Sequence, residues 1–188
     1  MKVACAVLAA GGSTRMGRPK QLLELDGRPL LAHVLEATAF LPDVAVVLGA
    51  HAQEIASAIE GTQVLHNPRW AEGMATSLHT AVHWARRLDA DGLLLCTCDQ
   101  ALLDRAHLER LVAEFTHAKA SVASRYNGTL GVPALLAPRH FERLLAIEGD
   151  RGAAPVLRSE PDVIAIDWPE GAVDLDTPDD LARFNSRA

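Results

Sequence analysis

The chain has 188 residues, a length suited to a single domain, and 49% of them are apolar, enough to bury a sizeable core. Charged residues make up 22%, the net charge is -6, and only 4% are aromatic, which excludes a wholly disordered chain and argues against an electrostatic grip on nucleic acid or a base-stacking platform. No run of roughly 18 apolar residues occurs, so no membrane span is predicted.

The first apolar run, residues 3–10, ends at Gly11-Gly12 and is followed by Arg15, Arg18 and Lys20. It reads as a buried opening strand rather than a signal peptide, and the expected compartment is the cytoplasm. Further strands are predicted at 44–49, 63–66, 92–98, 120–125, 132–136 and 163–167. Several are continuous apolar runs, as strands covered on both faces require. Helices are predicted between them. Leu78, Ala81, Val82 and Ala85 share one helical face, as do Leu108, Leu111, Val112 and Phe115. Thr177 is placed to cap a last helix, with Pro178 in its first position and Asp179 and Asp180 complementing its dipole. Cys5, Cys96 and Cys98 fall in strand-like segments and read as reduced, buried thiols.

Strands alternating with helices predict a three-layer α/β/α Rossmann-like sandwich on a mostly parallel, mixed sheet. Pro133 and the Gly128/Gly131 pair mark a less regular stretch after about residue 120, read as a small subdomain or an antiparallel edge. Ligands of open α/β sheets bind beyond the carboxyl ends of the strands. The site is therefore expected just after Ala10, Gly49 and Cys98, and after Asp167 as a fourth place.

The string Leu8-Ala9-Ala10-Gly11-Gly12-Ser13-Thr14-Arg15-Met16-Gly17-Arg18-Pro19-Lys20 follows the opening strand. Its glycines let the backbone approach a ligand and point N–H groups at phosphate oxygens, and Arg15 and Lys20 can neutralise a polyphosphate. It is neither a Walker A loop, because Arg18-Pro19 follows Gly17, nor a G-x-G-x-x-G fingerprint. Asp99 ends an apolar strand opposite this loop; it is either a turn residue or a hard ligand for Mg²⁺. Asp174 and Asp176 alternate by two, so an extended segment turns both to one side. They are either two more metal ligands or a solvated acid and a helix-start residue.

At the first loop the chain resembles the small nucleotidyltransferases of glycosyltransferase-A type fold, the nucleotide-diphospho-sugar transferase class. Within them it most resembles the molybdenum cofactor cytidylyltransferases. The resemblance continues through Gln21-Leu22-Leu23-Glu24-Leu25-Asp26-Gly27 and spans nearly the whole chain. It implies transfer of CMP from CTP to the phosphate of a molybdopterin-type acceptor, with Mg²⁺ or Mn²⁺ as cofactor and release of pyrophosphate. Residues 1–118 of one 188-residue domain then form mainly the nucleotide half, and 119–188 mainly the acceptor half with the late metal motif. The implied nucleotide residues are Leu8, Ala9, Ala10, Gly11, Gly12, Ser13, Arg15, Lys20, Asn67, Gly73 and Ser77. Trp70 and Ser77 have plain structural readings too, a core plug and a helix cap. Ala10 stands where the guanylyl relatives carry a glycine, and its methyl group is a physical reason to prefer a pyrimidine. Arg15, Lys20 and Asp99 are the implied catalytic residues, and Asp99, Asp174 and Asp176 the metal ligands. Asp99-Gln100-Ala101 lacks the proline usual after this acid.

Gly131, Pro133, Gly149, Asp150 and Arg151 match the acceptor half, although the last three also read as a plain surface turn. The expected partners are small molecules, with a molybdoenzyme or its chaperone as recipient of the product, and the expected state is a monomer. Two alternatives share the same loop: nucleotidyl transfer to another phosphorylated acceptor such as a sugar or polyol phosphate, and a nucleotide-binding module without turnover.

Overall fold

The computed structural model describes residues 1–13, 16–59, 61–175, 177, 179, 180 and 184. In chain order its elements are β1 (Val3–Leu8), β2 (Glu24–Leu25), β3 (Arg28–Pro29), α1 (Leu30–Thr38), β4 (Asp43–Leu48), α2 (Ala52–Ser57), β5 (Gln63–His66), α3 (Met74–Arg87), β6 (Gly92–Thr97), α4 (Arg105–Ala118), β7 (Val122–Tyr126), β8 (Thr129–Leu136), α5 (Phe141–Leu145), α6 (Ala154–Ser159) and β9 (Ile164–Asp167). All seven strands expected from the sequence are present, and β2 with β3 adds a small separate ribbon.

The main sheet has the order β5-β4-β1-β6-β8-β7-β9. Strands β5, β4, β1 and β6 are parallel, β8 runs antiparallel to both neighbours, and β9 is parallel to β7. The sheet is thus the mixed, mostly parallel α/β array expected. Its central strands are apolar throughout because both faces are covered. On β1, Ala4 and Ala6 pack towards α3, α5 and α6, while Val3, Cys5 and Val7 pack towards α1, α2 and α4. Leu93 and Leu95 of β6 share the first layer, and Leu94 and Cys96 the second. Cys5, Cys96 and Cys98 are all buried and none forms a disulfide.

The antiparallel element is not an edge: β8 lies between β6 and β7. Tyr126 pairs with Thr129 across a two-residue turn at Asn127-Gly128, both at positive φ (50° and 71°). That is the tight hairpin that Asn-Gly favours, a signal carried by the sequence and passed over in the reading above. The register shifts between Ala123 and Ser124, so Val132 and Pro133 are extra residues on β8. Pro133 sits in this bulge, where its missing N–H costs no ladder bond.

Helix α4 is capped by Asp104, which accepts from His107 N (2.8 Å). Thr177 caps as expected: Asp180 N donates to its Oγ1 (3.2 Å) and Thr177 N donates to Asp180 Oδ2 (2.9 Å). Pro178 and most of the following segment lie outside the described residues. Among the described residues, no helix is long and apolar enough to cross a membrane.

Candidate active site

The loop after β1 is held from behind. Ala10 O accepts from Ala50 N (3.0 Å). Gln21, only 1% exposed, donates through Nε2 to Ala9 O (2.7 Å) and Gly11 O (3.2 Å). The three carbonyls are therefore satisfied inside the protein. Among the described residues, no backbone carbonyl accepts from the N–H groups of Ala10, Gly11 or Gly12. A loop sorted this way offers donors to a ligand, as an anion or an acceptor-rich base requires. Ser13 closes the loop instead of facing the ligand: its Oγ accepts from Lys20 N (3.0 Å) and donates to Gln21 Oε1 (3.4 Å). Arg15 lies outside the described residues.

Leu8, Ala9, Ala10, Gly11, Gly12, Lys20, Gly73, Ser77 and Asp99 line one cavity of about 310 Å³, within the range of small-ligand sites. Trp70 forms a wall of it. Its side chain lies against Gly49, where a Cβ would come within 2.4 Å of Trp70 Cβ, and near Gly12, where a Cβ would stand 3.3 Å from the ring. At 38% exposure Trp70 is not a core plug. Asn67 lies behind the cavity, 2% exposed, and donates to Thr76 Oγ1 and Ser77 Oγ (2.9 Å each). Ser77 thus accepts from the interior and stands in the cavity wall.

A second cavity of about 300 Å³ adjoins the first. Gly131, Asp150 and Asp174 line it, together with Gln100, Tyr126 and Val132. The two cavities share Leu8, Met74, Thr97, Asp99 and Asp150. Asp99 therefore stands where they meet. Pro133 lines neither; its carbonyl accepts from Ser124 Oγ (2.7 Å). Arg151 also lines neither, is exposed, and donates to Glu148 O (3.3 Å). Gly149 acts through its backbone, with its carbonyl accepting from Ala75 N (3.0 Å). The segment just after Asp167, named as a fourth place for the site, lines neither cavity, and Asp167 pairs with Arg125 at the exposed β7–β9 margin.

Lys20 Nζ lies 2.6 Å from Asp99 Oδ2. Burial pushes the Asp99 carboxyl up, but the Lys20 charge and the hydrogen bonds from Lys20 and Thr97 outweigh it and hold the group below the ordinary aspartate value. Leu175 N donates to Asp99 O (2.9 Å), and Asp174 bridges to Gln100, so the late acidic segment is stitched beside the end of β6. Asp176 lies outside the described residues. Among the described residues, no three Asp, Glu, His or Cys side chains stand close enough to hold a metal by themselves. The ionised, half-buried Asp99 is nonetheless a hard oxygen donor suited to a divalent ion whose other ligands come from phosphate.

Three site residues escaped the sequence reading as actors: Gln21, Gln100 and Tyr126. Gln100 is 2% exposed and donates to Val132 O (2.8 Å), a carbonyl that also accepts from Tyr126 Oη (2.9 Å). Gly131 has no side chain because a Cβ would stand 2.2 Å from that hydroxyl. A glutamine inside an otherwise apolar element boundary was the available signal.

The MobA-like NTP transferase domain matches residues 5–163. The chain belongs to this family. It is an enzyme of the nucleotidyltransferase class. The molybdenum cofactor guanylyltransferase of Rhodobacter capsulatus is 30% identical over 194 residues, covering 100% of this chain and 97% of that protein. Among solved structures, the Mycobacterium tuberculosis Rv0371c homologue from Mycobacterium sp. strain JC1 superposes with a TM-score of 0.84 at 27% identity, covering 100% and 98% of the two chains. Rv0371c of M. tuberculosis H37Rv, solved with manganese, gives a TM-score of 0.77 at 27% identity over the whole of both chains. In this MobA-like chain the glycine loop after β1 and the strand-end acid after β6 thus line one cavity.

Proposed function

We propose that this MobA-like chain transfers CMP from CTP to the phosphate of a molybdopterin-type cofactor. The observation that carries the reading is the meeting of two cavities at Asp99, one walled by the donor loop and Lys20, the other by Asp150 and Asp174. The first takes the nucleotide and the second the acceptor. An oxygen of the acceptor phosphate attacks the α-phosphorus in line, that P–O bond forms, and the bond to the β-phosphate oxygen breaks with its electron pair leaving on pyrophosphate. No protein nucleophile is needed, so orientation and charge neutralisation carry the rate. The loop N–H groups and Lys20 grip the triphosphate, and Arg15 is assigned to the same charge neutralisation from the sequence. Asp99 and Asp174, with Asp176, would hold Mg²⁺ or Mn²⁺, which neutralises charge on the phosphate oxygens. In this reading residues 1–118 serve mainly the nucleotide and 119–188 mainly the acceptor, with Asp150 also in the wall of the first cavity and Leu8, Leu95 and Gln100 in that of the second.

The choice of CTP rests on Ala10, a residue of the first cavity's wall at 5% exposure, on the argument that a methyl group where the guanylyl relatives carry a glycine disfavours the larger purine. GTP is the second reading, favoured by the name of the R. capsulatus relative. The product would pass to a molybdoenzyme or its chaperone. Thermal protection and pyrophosphate release, measured with CTP and GTP in Mg²⁺, with and without molybdopterin, decide the matter. The reading expects CTP to protect more and to release pyrophosphate only with the acceptor. Stronger protection by GTP selects the guanylyl reading. Binding without pyrophosphate release for molybdopterin or for sugar and polyol phosphates leaves a binding module.

A further inference from the structure

Lys20 is tethered at its backbone and reaches into the cavity with its tip. Its N donates to Ser13 Oγ (3.0 Å), and the next residue, Gln21, is locked onto the Ala9 and Gly11 carbonyls. Its ammonium reaches across the cavity to Asp99, with the two side chains 19% and 21% exposed. Among the described residues that line either cavity, Lys20 is the only basic one, whereas Asp99, Asp150 and Asp174 are all acidic. Asp99 is fixed at its own backbone by Leu175 N.

A dication on Asp99 and an ammonium on the same carboxylate repel each other at contact distance. One carboxylate oxygen is already taken by Lys20 at 2.6 Å. A triphosphate on the loop is the competing anion within reach of the same side chain. Swinging Nζ onto it needs only side-chain rotation, and it strips Asp99 of its counter-charge beside two other acids.

We infer that Lys20 is a stand-in cation, which keeps divalent metal off Asp99 until a nucleotide draws it away, so that metal and nucleotide enter the site together. The inference rests on Asp99 being the metal ligand proposed above. Metal alone then binds weakly, and the site does not fill with a bare ion that would hold inorganic phosphate or pyrophosphate unproductively. Coupling between two ligands is commonly worth about 5- to 150-fold in affinity and is reciprocal.

The test is a titration of the full chain with Mn²⁺ alone, without nucleotide, read by electron paramagnetic resonance and water-proton relaxation. Lys20→Met is expected to bind Mn²⁺ about tenfold more tightly than the wild type. Lys20→Arg, which keeps the cation, stays near wild type, and Lys20→Met combined with Asp99→Asn loses the gain. Thermal melting checks that each variant is folded, and Lys20→Gln replaces Lys20→Met if the latter is not. A Lys20→Met protein that titrates like wild type, while the double variant binds more weakly than either, overturns the stand-in role and leaves Asp99 a metal ligand. A double variant that binds as tightly as Lys20→Met removes Asp99 from the metal site, and the inference falls with that assignment.

Discussion

Gly73 and Gly149 meet backbone to backbone. A Cβ on Gly73 would stand 2.4 Å from both C and O of Gly149, and Gly73 adopts φ 116°. This contact seats the turn carrying Asp150 on the head of α3, between the two cavities. Gly73→Ala is expected to cost about 3 kcal/mol or more, because a backbone that cannot yield and a positive φ both oppose the methyl group. Gly149→Ala meets nothing within 4 Å but sits at φ 68°, so only about 1–2 kcal/mol is expected. Chemical denaturation of the two variants checks the order; equal losses would show that the close approach is not rigid.

Gln21 should couple stability to nucleotide binding. Gln21→Leu leaves the buried Ala9 carbonyl and the part-buried Gly11 carbonyl without their donor, a loss of about 1–3 kcal/mol. The same change frees the loop to turn its carbonyls towards the ligand, so nucleotide affinity should fall about tenfold. Urea unfolding and nucleotide titration read the two effects; a destabilised variant with unaltered affinity would separate the loop from binding.

Asn67 and Ser77 should split these effects. Ser77→Ala removes a hydroxyl from the cavity wall and should weaken nucleotide binding about fivefold, with a loss of about 1 kcal/mol because one buried Asn67 N–H loses its acceptor. Asn67→Ala removes a buried amide that holds Thr76 and Ser77 and accepts from Arg69 N (3.0 Å), so it should lower stability by roughly 1–3 kcal/mol as well. Identical behaviour of the two variants would contradict the assignment of Asn67 to a supporting place.

Acid should weaken the late half of the sheet through His107. This ring stacks on Trp168 (centroids 4.5 Å apart, 14° between planes) and meets Ser124 Oγ at 2.7 Å. Ser124 gives its own proton to Pro133 O, so His107 Nε2 donates and Nδ1 is sealed without a partner. Burial first, then the Arg110 charge, lowers the His107 pKa from 6.5 to about 4. The folded value lies below the unfolded one, so this contribution is complete above pH 6.5 and is lost as pH falls from 6.5 towards 4. The full loss is roughly 2–3 kcal/mol. Buried His140 shifts in the same direction, so the measurement is the difference between wild type and His107→Gln across that window. A variant with the same acid slope as wild type would exclude His107 as the source.

Much of the fold was legible because it is local. Continuous apolar runs such as Leu93-Leu94-Leu95 can only be strands covered on both faces, and the 78/81/82/85 and 108/111/115 faces can only be helices against them. The donor loop was legible because glycines after a strand and cations after the glycines leave few other uses. The interior place of β8 was not, since strand order depends on which faces pack, and its Asn127-Gly128 turn was the one local signal overlooked.

By itself the sequence determined the α/β alternation, the glycine loop after the first strand and the strand-end acid, because periodicity, backbone freedom and charge type are properties of residues and their spacing. Only the tertiary structure decided that Lys20 rests on Asp99, that Asn67 stands behind Ser77, that Pro133 and Arg151 line neither cavity, and that Asp150 sits between the two. Those relations join residues up to 79 positions apart, and long-range contacts are set by how layers pack, which no local pattern encodes.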